Sequence, residues 1–131
     1  FLNCELQSGF DVLARAASLE DKIRRSDAVI TGEGKTDRQT LFGKLPKRVS
    51  DIAEKFGVPC ILLSGDVEND ISEELGVCEI HKIKENGISL EHCMKNAASL
   101  LSERAFAIGK DSKIINKQYS RKQEKMRENE R

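Results

Sequence analysis

The run Val58-Pro59-Cys60-Ile61-Leu62-Leu63-Ser64 constrains the fold more than any other part of the chain. It is apolar without alternation. That pattern belongs to a strand covered on both faces, as in a parallel sheet, and not to a hairpin with one wet side. Gly65-Asp66 ends it. Parallel neighbours have to be joined by crossovers, usually helices, so helical patterns are expected on either side of the run.

They are present. Leu45, Val49, Ile52, Ala53 and Phe56 mark one face of a helix, with Pro46 suited to its first turn and Gly57 to the left-handed position past its end. Ser8 to Ala17 reads as a short helix capped by Ser8, and Leu19 to Arg24 as a second. Residues 69–75 read as a short helix capped by Asn69 or Asp70. Ser89 is expected to cap the longest helix, whose buried stripe is Leu90, Cys93, Met94, Ala97, Ala98, Leu101 and Ala105. Ala28 to Thr31 and Val77 to Ile83 read as two further strands. Strand and helix thus alternate three times, which implies an α/β fold with a parallel sheet flanked by helices, Rossmann- or flavodoxin-like. Three strands make a thin sheet. The chain is therefore expected to supply an incomplete part of a larger, two-domain protein, or to meet another chain or copy that completes the sheet.

The 131 residues suffice for one domain. The first residue is Phe1, not Met, consistent with a fragment or processed product. Apolar residues thin out after 108, dividing the chain into a globular part, 1–108, and a charged helical or disordered tail, 109–131. That tail carries eight Lys/Arg against four Asp/Glu, so the neutral chain divides into a basic tail and a mildly acidic body. Such a body does not read as a nucleic-acid binder, and the basic run reads first as a solvated helix or disorder. Cys4, Cys60, Cys78 and Cys93 show no Cys-x-x-Cys spacing and are expected to pack as small hydrophobes. No signal peptide or membrane span is recognisable, so a cytoplasmic setting is expected. His81 and His92 lie far apart with no second ligand nearby, and read as surface or edge residues.

The chemistry concentrates in Thr31-Gly32-Glu33-Gly34-Lys35-Thr36-Asp37-Arg38-Gln39-Thr40, between the first strand and the helix opened by Gly43-Lys44-Leu45-Pro46. The carboxyl ends of parallel strands share one edge, where ligands bind. This loop and Gly65-Asp66 belong to that edge if the first two strands are neighbours. Gly32, Gly34 and Gly65 are expected to turn backbone N–H groups toward a phosphate. Lys35, Arg38 and Lys44 are candidates to neutralise it. Glu33, Asp37 and Asp66 are candidates to hold a metal ion or take a proton from a hydroxyl. The segment is neither a P-loop nor a dinucleotide fingerprint, and Ser64-Gly65 lacks the setting of a hydrolase elbow.

At this loop the sequence resembles the bacterial type II glycerate kinase family, which carries Thr-Gly-Glu-Gly-Arg-x-Asp-x-Gln-Thr followed by Gly-Lys-x-Pro. Thr31, Gly32, Glu33, Gly34, Asp37, Gln39, Thr40, Gly43, Lys44 and Pro46 stand in matching places, and Val49, Ala53, Gly57, Pro59 and Gly65 continue the match. Leu6, Gly9 and Asp11 resemble the family's Leu-x-x-Gly-x-Asp, and Asn96-Ala97-Ala98 with Leu101 its last helix. The resemblance spans about residues 1–108, a C-terminal third of such an enzyme. It implies ATP-dependent phosphorylation of a hydroxyl of D-glycerate with Mg2+, in a cleft between two α/β domains. It also implies that Asp37 is the base or metal-linked carboxylate, with Asp66 as the other metal candidate. Lys35 and Lys44 would hold phosphate or the glycerate carboxylate, and Gly32 and Gly34 would shape the loop. Lys35 replaces the family's arginine, a point charge in place of a fork, and Arg38 stands where the family has a small residue. The alternative reading is a catalytically inactive α/β module whose basic tail binds a protein or RNA partner.

Overall fold

The computed structural model describes residues 7–68, 71–85 and 87–129. Two short helices, α1 (Gly9–Ala16) and α2 (Leu19–Arg24), lead into strand β1 (Val29–Thr36). A 3-10 turn (Arg38–Leu41) and helix α3 (Leu45–Lys55) follow. Then come β2 (Cys60–Val67), α4 (Ser72–Leu75), β3 (Glu79–Lys82), α5 (Leu90–Lys95), α6 (Ala97–Asp111) and α7 (Lys113–Asn129). The strands form one sheet in the order β1-β2-β3. Both pairings are parallel, with Val29 opposite Cys60 and Ile61 opposite Glu79. The α/β class and the parallel sheet read from the sequence are both present.

Alternate residues of β2 feed two cores. Cys60 and Leu62 join Val49 and Ala53 of α3, Ile23 of α2, and Val58, Ile71, Leu75 and Val77 in one buried cluster. Ile61 and Leu63 point the other way, to Ile108 of α6, with Ile114 and Ile115 of α7 packed alongside. This two-sided burial is the cause of the unbroken apolar run. Helix α3 stops as its sequence requires. Gly57 adopts φ +64°, its N–H donates to the Glu54 carbonyl, and the Val58 N–H donates to that of Ala53, both at 2.9 Å. These are the paired bonds of a Schellman ending, which a residue with a Cβ would strain.

Several expectations need correction. β1 runs to Thr36, five residues past the expected end at Thr31, so Gly32 and Gly34 are strand residues and not a bend. Close strand contact explains Gly32 and Gly65, though not Gly34, where a Cβ would meet nothing within 4 Å. A Cβ on Gly32 would lie 2.5 Å from the Leu63 carbonyl oxygen, and one on Gly65 would lie 2.3 Å from that of Gly34. β2 likewise runs on to Val67 and contains Gly65 and Asp66. Ser8 occupies the N-cap of α1 without a side-chain cap bond. The candidate caps Asn69 and Asp70, together with Cys4 and Leu6, lie outside the described residues. The expected long helix is two, α5 and α6, meeting at Asn96. Ser89 does cap the first, accepting from the His92 N–H at 3.2 Å. The stripe read as buried is open. Leu90, Met94 and Leu101 are exposed, and only Cys93 of that stripe is partly buried, because nothing among the described residues lies over it. Cys78 is exposed as well, whereas Cys60 is buried.

Helical cover also continues past 108. α6 reaches Asp111, and α7 begins by packing Ile114 and Ile115 under β2. Ser112 Oγ donates to Glu79 Oε1 at 3.1 Å, fixing the junction of α6 and α7 to β3.

Candidate active site at the carboxyl edge of the sheet

β1 and β2 are held together at their carboxyl ends by buried hydroxyls. Thr36 Oγ1 donates to Ser64 Oγ at 2.8 Å, and Ser64 Oγ donates to the Asp66 carbonyl at 2.7 Å. Both side chains are fully buried. A buried polar chain whose members satisfy one another specifies a unique geometry. Here it fixes the point from which Lys35, Asp37 and Asp66 leave the sheet.

Asp37 then turns the chain. It caps the 3-10 turn, with its Oδ1 accepting from the Gln39 N–H at 2.9 Å. Its own N–H donates to Thr40 Oγ1 at 3.2 Å, and that hydroxyl donates to Glu33 Oε1 at 2.7 Å. Thr40 is fully buried. Lys44 Nζ stands 3.5 Å from Asp37 Oδ1. Glu33, Asp37, Thr40 and Lys44 are therefore one connected group, with the Asp37 side chain only 20% exposed. Gln39 enters through its backbone N–H. Arg38 is exposed within the turn.

Lys35 lies opposite Asp66 in the register but pairs with Glu68, Nζ to Oε2 at 3.1 Å. Hydrogen bonding to that carboxylate, and its charge, hold the Lys35 ammonium above its ordinary pKa. Asp66 is gripped from β3 and beyond. Lys82 Nζ lies 2.7 Å from Oδ1 and Lys84 Nζ lies 2.8 Å from Oδ2. These two lysines hold the Asp66 carboxyl well below the usual carboxylate range.

The sequence-predicted residues Glu33, Lys35, Asp37, Thr40, Lys44, Gly65 and Asp66 thus gather where β1 and β2 end. Gly32, Gly34 and Gly65 sit there as strand residues, so the expected glycine bend offering amides to an anion is not the arrangement found. The sharp turn falls instead at Asp37 to Gly43, where Gly43 has φ +85°. Lys82, Lys84 and Glu68 were missed by the sequence reading. The two lysines have a sequence signal, the pair Lys82-x-Lys84 at the exit of a third parallel strand on the same edge; Glu68 has none. His81 bonds Glu79 at 2.8 Å and His92 stands on α5. Among the described residues, no three His, Cys, Asp or Glu side chains cluster as a ready-made metal cage. A larger hollow of about 960 Å3 lies between α1, α2 and α3 and contains none of these residues.

Residues 1–113 match the sequence profile of the glycerate kinase family. The chain belongs to the glycerate kinase family. A glycerate kinase of Bacillus subtilis (strain 168) is 30% identical over 116 residues, covering 87% of this chain and 30% of the relative. A glycerate 2-kinase of Escherichia coli (strain K12) is 39% identical over 83 residues, 63% of this chain and 21% of that protein. A solved structure described as a glycerate kinase 2, from Salmonella typhimurium LT2, superposes with a TM-score of 0.55 at 27% identity. It covers 93% of this chain and 29% of its own. The chain thus spans less than a third of the glycerate kinases it matches. Among the described residues, no helix is long and apolar enough to cross a membrane.

Proposed function

We propose that this chain supplies one wall of a glycerate kinase active site, which transfers a phosphoryl group from ATP to a hydroxyl of D-glycerate. The observation that carries the reading is the convergence of Glu33, Asp37, Thr40 and Lys44 at the carboxyl edge of a parallel sheet, in a chain belonging to this family. Phosphoryl transfer demands little covalent chemistry of a protein. It demands that an acceptor hydroxyl be oriented and that negative charge be met by fixed positive groups.

The corner is suited to both tasks. Asp37 is held by its cap bonds in one orientation, with Lys44 beside it, and is placed to accept the proton of an attacking hydroxyl. Glu33 fixes Thr40, and Thr40 fixes the Asp37 backbone, so these two act as positioning residues. Lys35, exposed at the end of β1, and Lys44 are placed to meet phosphate or the glycerate carboxylate. Gln39 and Arg38 line the same turn.

Mg2+ is usually held by one or two carboxylates together with substrate phosphates. Asp37 fits that role. Asp66 fits it poorly, since each of its oxygens already faces a lysine. When bound with ATP, the ion neutralises charge on the phosphate oxygens.

A chimaera tests this reading, with this chain replacing the matching segment of the Bacillus subtilis glycerate kinase. Amide shifts in the chimaera are followed as D-glycerate and then ATP with Mg2+ are added. Perturbation is expected at residues 33–40 and at Lys44. Saturable binding of both ligands that leaves those amides unmoved would overturn the assignment.

A further inference from the structure

Two thiols meet at the end of the sheet opposite the candidate site. Cys60 opens β2, and Cys78 stands one residue before β3. Ile61 pairs with Glu79, so the register carries Cys78 to a place opposite Cys60. Their backbones bond there, the Cys78 N–H donating to the Cys60 carbonyl at 2.8 Å. The partners Leu62 and Ile80, two residues further along, both pack into the cluster under α3. Side chains two residues apart on a strand share a face, so both thiols leave the same side of the sheet. Neighbouring strands lie about 4.8 Å apart, within the Cα–Cα range of about 4.4–6.8 Å that a disulfide spans.

The two thiols differ in access. Cys78 is exposed and Cys60 is buried. Both line a hollow of about 400 Å3 at the amino ends of the strands. Lys117 and Arg121 of α7 line it too and outnumber its carboxylate, Glu54, so the hollow favours an anionic reagent. Burial, with Cys78 nearby, pushes the Cys60 thiol up to about 11. Cys60 therefore stays protonated and unreactive until a sulfur is presented to it, and Cys78 is the group a reagent meets first.

We propose that Cys60 and Cys78 form a thiol–disulfide site that reacts with a low-molecular-weight disulfide of the glutathione class. The Cys78 thiolate attacks one sulfur of that disulfide. The reagent's S–S bond breaks, and one of its halves leaves as a thiol carrying the proton that Cys78 lost. Cys60 then attacks the Cys78 sulfur, and its proton goes to the second departing half. The two protein thiols are oxidised to a Cys60–Cys78 bond, the reagent is reduced to two thiols, and no other reactant is needed. The bond staples β2 to β3 across α4, at the end of the sheet away from Asp66, Lys82 and Lys84. Excess thiol reverses it by the same two exchanges.

Peptide mapping by mass spectrometry tests the site. The full chain is held with oxidised glutathione, with and without urea, and remaining thiols are blocked before digestion. In the folded chain the Cys60–Cys78 peptide pair is expected to dominate and to disappear on adding dithiothreitol. Cys78→Ser should abolish the bond, and Cys60→Ser should stop the reaction at glutathione linked to Cys78. In urea, where the register is lost, links to Cys4 and Cys93 should appear as well. The map of the unsubstituted chain decides the matter even if Cys60→Ser fails to fold. Glutathione that stays on Cys78 in the folded chain while Cys60 remains a free thiol would overturn the proposal. So would the same spread of links with and without urea, or a Cys78 that bonds a second chain in place of Cys60.

Discussion

The face of the sheet under α2 and α3 and the face under α6 and α7 are made from alternate residues of one strand, yet only the first is closed. Cys60 and Leu62 meet a buried cluster drawn from α2, α3, α4 and the loops around them. Ile61 and Leu63 meet a cluster whose one further buried member is Ile108, while Leu101 and Met94 on the neighbouring helices face outward. Equal hydrophobicity in sequence therefore does not mean equal burial. Whether an apolar stripe is core depends on what the fold places over it.

The largest test of that contrast is a pair of truncations followed by urea unfolding. Leu62→Ala, on the closed face, should cost about 2–5 kcal/mol. Leu101→Ala, on the open face, should stay within about 0.5 kcal/mol. Comparable losses would mean that the second face is covered after all.

The contrast extends to the glycines at the rim. Gly65→Ala places a Cβ 2.3 Å from the Gly34 carbonyl oxygen, and the backbone of β1 must move to admit it. A loss of about 1–3 kcal/mol is expected, read from thermal melting. At Gly34 a Cβ meets nothing within 4 Å, so Gly34→Ala should be close to neutral. Reversal of that order would contradict the strand-contact explanation of Gly32 and Gly65.

A smaller effect concerns acid stability at the rim. Asp66 is held ionised by Lys82 and Lys84, so its folded pKa lies below its unfolded value of about 4. The stabilisation is present above that unfolded value and is lost as the pH falls through the folded one. Solvent screening limits it to about 1 kcal/mol or less. Asp66→Asn should flatten the acid limb of the stability curve, measured between neutrality and pH 3. An unchanged limb would mean that the two lysines do not hold the carboxylate in solution.

Smallest of all is a labelling difference that separates core from surface. The Cys60 thiol is pushed up to about 11, chiefly by burial and also by the nearby Cys78. Cys78 is exposed. Iodoacetamide at neutral pH should therefore modify Cys78 while sparing Cys60 in the folded protein. Equal rates would place Cys60 in contact with solvent.

Much of this was legible in the sequence. The run 58–64 announced a strand buried on both sides, and Pro46 with Gly57 bracketed α3 closely. Residues 31–40 stand out as a candidate site because their residue types are those of an anion- and proton-handling corner. Its conformation was not legible. Glycines at 32 and 34 suggest a bend when read locally. What extends β1 through them is pairing with β2, a tertiary fact that overrides local preference. The lysines at the end of the third strand escape a local reading for a related reason, since only the pairing of β3 with β2, which sets Lys82 opposite Ser64, brings the Lys82 and Lys84 side chains to Asp66. The stripe on α5 and α6 was read as buried because periodicity reports that a face is apolar and not that anything covers it.

Turnover is the most direct test of the central claim, that the corner around Asp37 performs phosphoryl transfer to glycerate. ADP release by the chimaera is measured with and without D-glycerate, for the parent and for Asp37→Asn. Glycerate-dependent turnover is expected in the parent, with a fall of about 10^2–10^4-fold in kcat in the variant and little change in the KM for glycerate. Near-normal turnover by a folded Asp37→Asn chimaera would contradict it.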